Sequence, residues 1–222
     1  SLVSIRKFKK DKLTIDDLGR DGAYSISSTR IKLYPANGST QPGICAAIAA
    51  KAKLPGVDEI DRIEITTNAR TLKGSGSGAE KWAPKTHETA DHSLPYVVAM
   101  GLMDGNVSPA SYAEDRLRDP ATLGLMSKMT VAEDPEFTAQ FPAKSVTALR
   151  IHLKSGEIVS EKVDYPKGHP ALPVTDAEIE QKFRGLTEGT LSTSKADKII
   201  DYVWTLDKQP DLRPLIELCV VG

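Results

Sequence analysis

The feature that most restricts what this chain can fold into is a change of period along it. Up to Val163 the apolar residues recur in places at every second position and in places at every third or fourth, whereas beyond Thr175 only the helical spacing remains. Ile60-Asp61-Arg62-Ile63-Glu64-Ile65-Thr66-Thr67 alternates with period two, the pattern of a strand buried on one face. Residues 128–132, 148–153 and 157–163 read as further strands, and Lys154-Ser155-Gly156 between the last two signals a hairpin. Residues 26–33 hold β-branched side chains and stop at Tyr34-Pro35, where proline withdraws a backbone donor, so another strand is expected there. Helices are expected over residues 41–53, with Pro42 in the first turn, over a face made by Val97, Val98, Gly101 and Leu102, and from Ser108-Pro109 to about Leu117. Asp119-Pro120 begins another short one. The fold class that follows is α+β: a mixed, largely antiparallel sheet of about five strands with helices on one side, followed by C-terminal helices.

Three segments result. Residues 1–25 are charged and turn-rich and read as a connecting segment; residues 26–172 form a small α+β domain; residues 173–222 are helical, with the boundary near Pro173. Thr175-Asp176-Ala177-Glu178 is a capping-box pattern. Ile199, Ile200, Val203 and Trp204 form one apolar stripe and Leu212, Leu215, Ile216 and Cys219 a second, and both need a partner surface. Aromatic residues make up only 5%, so the core must be built from Ala, Leu, Ile and Val.

Charge removes several function classes. Lys and Arg number 29 against 30 Asp and Glu, and the only local basic surplus is Arg6-Lys7-Phe8-Lys9-Lys10, so a nucleic-acid partner is not expected. No apolar run approaches the roughly 18 residues that cross a bilayer, and none has the character of a signal-peptide core. Cys45 and Cys219 lie far apart in apolar helical contexts, which suits buried thiols in a reducing, cytoplasmic compartment better than a disulfide framework. The start on Ser1-Leu2 without a methionine fits a trimmed chain.

His87 and His92, flanking Glu88 and Asp91, invite a metal reading, but i and i+5 are displaced by roughly 140° on an ideal helix, so no helical metal pair is expected. Thr86, Glu88, Thr89 and Asp91 can instead satisfy the free amides of a helix start. The glycine-rich stretch Lys73 to Gly78 lacks the Gly-Lys-Ser/Thr ending of a phosphate-binding loop and reads as a mobile surface loop. No Gly-x-Ser-x-Gly elbow occurs, and neither cysteine has a histidine beside it in sequence. Lys32 stands at the end of an expected strand, where a side chain can project beyond the strand end or simply be a solvated edge residue.

Thr86-His87-Glu88-Thr89-Ala90-Asp91-His92-Ser93-Leu94-Pro95-Tyr96, followed by Leu102-Met103-Asp104-Gly105, strongly resembles the central signature of the MmgE/PrpD family, which includes 2-methylcitrate dehydratase, cis-aconitate decarboxylase and iminodisuccinate epimerase. Further matches run in order: Arg30-Ile31-Lys32-Leu33-Tyr34-Pro35-Ala36, Glu133-Asp134-Pro135-Glu136-Phe137, Val163-Asp164-Tyr165-Pro166-Lys167-Gly168-His169-Pro170, and Ile179-Glu180-Gln181-Lys182-Phe183. The resemblance implies that this chain is the smaller α+β domain plus helices that return to an all-helical domain supplied elsewhere, in a homodimer that needs no cofactor and no metal. It implies a lyase for small polycarboxylates, most closely a dehydratase of propionate metabolism. It also implies that Lys32 is the catalytic lysine contributed by this domain, with Asn37 and His92 at the substrate. Asn37 falls where the decarboxylase branch has a histidine, and whether His92 touches substrate or braces the helix start is left open by the motif. A lysine at Lys32 suits that chemistry, because removing a proton α to a carboxylate builds negative charge that an ammonium can neutralise. The isolated chain is expected to be inactive. The competing reading is a non-catalytic capping or assembly module that docks on a helical partner.

Overall fold

A computed structural model describes residues 24–220 of the 222-residue chain. It divides the chain into two units, residues 1–30 and residues 31–222. In the first unit the described residues hold one 3-10 turn, Ser25–Ser28. The basic run Arg6 to Lys10, and all but the last two residues of the expected connecting segment, lie outside the described residues.

The second unit is built on a sheet of four strands, β1 (Ile60–Thr67), β2 (Met129–Glu133), β3 (Thr147–Leu153) and β4 (Ile158–Val163), in the order β2-β1-β3-β4. β1 runs parallel to β2 and antiparallel to β3, and β3 and β4 make the expected hairpin. Alternation decides which face is covered. Ile63, Ile65, Leu149 and Ile151 are buried beneath the helices, while Arg62, Glu64 and Arg150 occupy the open face. There the Glu64 carboxylate gathers Arg62, Arg150 and His152 at 3.5, 3.4 and 3.1 Å.

Eight helices carry labels here: α1 (Gln41–Lys51), α2 (His87–Asp91), α3 (Leu94–Asp104), α4 (Pro120–Ser127), α5 (Pro135–Gln140), α6 (Asp176–Thr187), α7 (Thr193–Trp204) and α8 (Arg213–Cys219). α1 and α3 pack side by side, and α1 also lies against β3 and β4. Small residues let the two axes close. A Cβ on Gly43 would stand 2.6 Å from Leu94 Cδ1, and one on Gly101 would stand 2.8 Å from the Ala47 Cβ. Ala46, Ala47 and Ala50 are fully buried in the same seam, which explains how so aromatic-poor a chain fills its core. Tyr96 is the large exception, and its buried hydroxyl donates to the Ser111 carbonyl at 2.6 Å.

Four sequence expectations need correction. Residues 26–33 form no strand: Ile26 is exposed, Ser25–Ser28 is a 3-10 turn, and β-branching found no neighbouring strand to pair with, so the sheet has four strands. Lys73 to Gly78 is a surface loop only in part: Lys73, Gly74, Ser77 and Gly78 are exposed, but the turn between them is not. Residues Leu72–Gly76 form a π turn with Ser75 and Gly76 buried, and a Cβ on Gly76 would meet Val131 Cγ1 at 2.9 Å. The helix expected from Ser108 splits into a 3-10 turn, Pro109–Tyr112, and a short helix, Glu114–Leu117, because Ala113 between them is extended (ψ 150°). Cys219 is exposed and Cys45 half-buried, and both are free thiols. The capping box at Thr175 is present, with Thr175 N–H donating to Glu178 Oε2 at 2.7 Å and Glu178 N–H donating to Thr175 Oγ1 at 3.3 Å. Among the described residues no helix is long and apolar enough to cross a membrane.

Candidate functional site

The segment that carries Lys32 is irregular and is held by contacts from three places. Ile31 N–H donates to the Gly168 carbonyl at 2.9 Å. Gly168 sits at φ +88°, and a Cβ on it would lie 1.9 Å from the Ile31 oxygen, so only glycine permits this approach. Gln41, the first residue of α1 and only 3% exposed, accepts from Tyr34 N–H at 3.3 Å and donates to the carbonyls of Tyr34 and Ala36 at 3.0 and 3.3 Å. From α6, Lys182 Nζ donates to the Lys32 carbonyl.

Lys32 is exposed, and its ammonium donates to the Ala36 carbonyl at 3.1 Å. It stands in the wall of a cavity of about 690 Å³ that Tyr34, Ser108, Glu178, Lys182 and Leu186 also line. Its walls come from three stretches of the chain, residues 32–35, 105–109 and 178–186. The electrostatics of this cavity are cationic. Glu178, the one acidic group among the described lining residues, is held below the usual carboxylate range by the Thr175 amide and then by Lys167, with which it pairs at 3.0 Å. Lys32 and Lys182 therefore face the cavity with no free counter-charge in its lining. Burial, reinforced by Cys45 and Glu178, pushes the Tyr34 phenol up to about 12, so it stays a neutral donor across the physiological range. The Cys45 thiol is likewise pushed up by burial, which leaves it protonated and a poor nucleophile.

Asn37 and His92 do not line this cavity. Both contact Asp91 instead. Asn37 N–H donates to the Asp91 carbonyl at 2.9 Å, and His92 Nδ1 pairs with the Asp91 carboxylate and lies 3.1 Å from the Glu88 carbonyl. The Asn37 amide has a fixed orientation. Its Oδ1 accepts from Ser39 N–H at 2.9 Å and from Ser39 Oγ at 2.8 Å, and of the two ends of an amide only the oxygen can accept from a backbone N–H, so the oxygen is the end held by Ser39. The hydrogen bonds from Lys32 Nζ to Ala36 and from Asn37 to Asp91 place the three residues singled out from sequence along one continuous strip, with Lys32 at the cavity and the other two behind it.

His87 and His92 do not converge on a metal position. His87 stacks on Tyr112 with ring centroids 4.4 Å apart, and Thr86 and Thr89 cap α2. Glu88, Asp91 and His92 do bring one ligand atom each within 4.8 Å of one another, with Asp91 and His92 already paired. Sequence reasoning did not find Gln41, Tyr34, Glu178 or the 105–109 wall. Tyr34 and Lys182 lie inside the family-like motifs and Glu178 inside the capping box, each without a role at the site, and a polar residue followed by proline at a helix start is the local signal for Gln41.

A family model described as the MmgE/PrpD C-terminal domain matches residues 34–208. A cis-aconitate decarboxylase of Aspergillus terreus is 31% identical over 199 residues, covering 85% of this chain and 40% of that protein. The 2-methylcitrate dehydratase-like protein oryR of Aspergillus oryzae is 30% identical over 192 residues, with 82% and 38% covered. A 2-methylcitrate dehydratase of Cupriavidus necator is 30% identical over 159 residues, with 67% and 32% covered. The chain thus spans well under half the length of these relatives.

Proposed function

The chain belongs to the MmgE/PrpD family, and from that premise we propose that it is the smaller-domain part of a lyase that eliminates water from a 2-methylcitrate-like polycarboxylate. The observation that supports this reading is the cavity lined by both Lys32 and Lys182, in which the one carboxylate among the described lining residues, Glu178, is paired with Lys167. Two ammonium groups against no free anion suit a ligand with more than one carboxylate.

In the proposed elimination a base of the helical domain takes the proton as a C–H bond α to a carboxylate breaks, the electron pair of that bond forms the C=C bond, and the C–O bond breaks with its pair staying on the hydroxyl oxygen, which takes up a proton from an acid of the same domain and leaves as water. Charge builds on the carboxylate as the proton departs. Lys32 neutralises it there, and its exposed ammonium can exchange the Ala36 carbonyl for a substrate oxygen without a change of fold. Lys182 holds a second carboxylate. Asn37, behind the cavity and with its oxygen held by Ser39, carries no titrating proton, which favours elimination over a decarboxylation that uses a titrating group at this position. The remaining catalytic groups belong to a helical domain that covers the exposed apolar residues of α7 and α8, including Trp204, Leu212 and Ile216, and the assembled enzyme is a cytoplasmic homodimer.

Substituting Lys32→Met in the longer protein that carries this segment should lower turnover of 2-methylcitrate by roughly 100-fold or more, the scale of losing one preorganised charge partner. Near-normal turnover would overturn the assignment. The 222-residue chain alone should show no turnover, and a measured rate with purified chain would refute the division of labour proposed here. Under the competing reading of a non-catalytic module, Lys32→Met would leave a lyase assembled from chain and helical partner fully active.

A further inference from the structure

We infer that Gln41 is a positioning residue that sets where the Lys32 ammonium stands, an inference that rests on the role proposed for Lys32. The observation is a buried primary amide whose hydrogen-bonding capacity is spent on one short stretch of backbone. Its oxygen accepts from Tyr34 N–H at 3.3 Å, and its nitrogen donates to the carbonyls of Tyr34 and Ala36 at 3.0 and 3.3 Å. The amide cannot be reversed, because the Tyr34 N–H requires an acceptor.

Residues 32–37 belong to no strand and no helix, so this stretch lacks the ladder that would ordinarily fix it. Gln41 supplies what a neighbouring strand would supply: an acceptor for one N–H and donors for two carbonyls. It is anchored to do so. The residues that follow it, Pro42, Gly43 and Ile44, are buried, and α1 is locked against α3 through the Gly43 and Gly101 contacts. The rigidity of the core is thereby carried to the turn.

The link to Lys32 is the Ala36 carbonyl. Its oxygen has two lone pairs, and the two donors that use them are Gln41 Nε2 at 3.3 Å and Lys32 Nζ at 3.1 Å. Among the described residues that carbonyl is the acceptor on which the Lys32 ammonium rests. Where Gln41 holds the carbonyl, the ammonium waits. Releasing it lets residues 33–36 move and displaces the charge from the place where the substrate carboxylate develops its own.

The test uses two variants and two measurements. Gln41→Met keeps the length of the side chain and removes the acceptor and both donors; Gln41→Glu keeps the acceptor for Tyr34 N–H and removes the donors. In the 222-residue chain, amide hydrogen exchange at Tyr34 should accelerate by about 10-fold or more in Gln41→Met and stay within about 3-fold of wild type in Gln41→Glu, while Ile44 N–H inside α1 stays slow in both. In the longer protein that turns over 2-methylcitrate, kcat per folded molecule should fall by about 10- to 100-fold in both variants with KM changed less than about 3-fold, since misplacing a catalytic charge by about an ångström costs on this scale. Unchanged Tyr34 exchange in Gln41→Met, or an unchanged kcat per folded molecule in both variants, overturns the inference. Lys32→Met read beside them separates the two claims: normal turnover there removes the role proposed for Lys32, and the exchange measurement still judges what Gln41 holds.

Discussion

Helices α3 and α7 have similar lengths and both carry apolar stripes, yet the protein treats them in opposite ways. In α3 every residue from Leu94 to Leu102 is buried, so the helix is covered all round by α1, α4 and the turns beside them. In α7 only Ala196, Ile199 and Ile200 are buried, while Val203 and Trp204 are each 47% exposed, and in α8 nothing is buried. The difference lies in what each helix meets. α3 meets glycine and alanine at close approach, which lets a neighbour sit on it, whereas α7 meets α8 and α6 along a narrow seam that covers one side of the stripe. The first helix belongs to a core that closes within the second unit; the second helix presents a face that the described residues leave partly open.

Several substitutions would break or sharpen this contrast. The largest effect belongs to the core. Leu102→Ala, at a fully buried position, should cost about 3 kcal/mol in chemical unfolding, the usual scale for a cavity of this size. A loss below about 1 kcal/mol would show that α3 is not packed as described. Tyr96→Phe leaves the buried Ser111 carbonyl without its 2.6 Å donor and should cost about 1.5 kcal/mol. Thr175→Ala, at the cap of α6, should cost about 1 kcal/mol, and that loss should appear as fraying of residues 176–187 without loosening of α3.

Acid should act on the same side of the contrast. Glu178 is held below the usual carboxylate range by the Thr175 amide and Lys167, and Asp211 by the amide and then the guanidinium of Arg213. A depressed folded-state pKa means that the stabilisation is fully present above the unfolded value and is lost as pH falls through the folded one. Lowering pH below the usual carboxylate range should therefore loosen the starts of α6 and α8 before it touches α3, which contains no ionisable group between Leu94 and Leu102 apart from the neutral phenol of Tyr96. Simultaneous loss of both regions in pH-dependent hydrogen exchange would show that they do not differ in this way.

How much of this was readable beforehand follows the range of the interactions. β1 is visible in its own alternation, the β3–β4 hairpin in its glycine-containing turn, and α6 in its capping box, because each is decided within a few residues. Residues 26–33 failed for the opposite reason. β-branching states a preference, but a strand also needs a neighbour, and this segment joins none of the sheet's ladders, with Ile31 bonded to Gly168 instead. Composition misread Lys73 to Gly78 because burial of Ser75 and Gly76 depends on Val131 from β2, which no local pattern announces. The site shows the same division. Lys32 was marked by the family resemblance, yet the cation that shares its cavity, Lys182, comes from 150 positions further along the chain.

The smallest expected effect is the one that separates the two regions most cleanly. Ile216 is 64% exposed on α8, so Ile216→Ser removes only a minor part of a side chain's buried surface and should change the stability of the 222-residue chain by less than about 1 kcal/mol. It should also reduce self-association in light scattering, because it takes one of the exposed apolar side chains, which also include Trp204 and Leu212, off the surface. In the longer protein the outcome should reverse. If a helical domain covers this face, Ile216 is buried there, and the same substitution places a hydroxyl in an apolar contact at a cost of about 2 kcal/mol. Equal, small effects in both proteins would mean that α8 is solvated wherever it occurs, and the cover proposed for it would have to lie on another face.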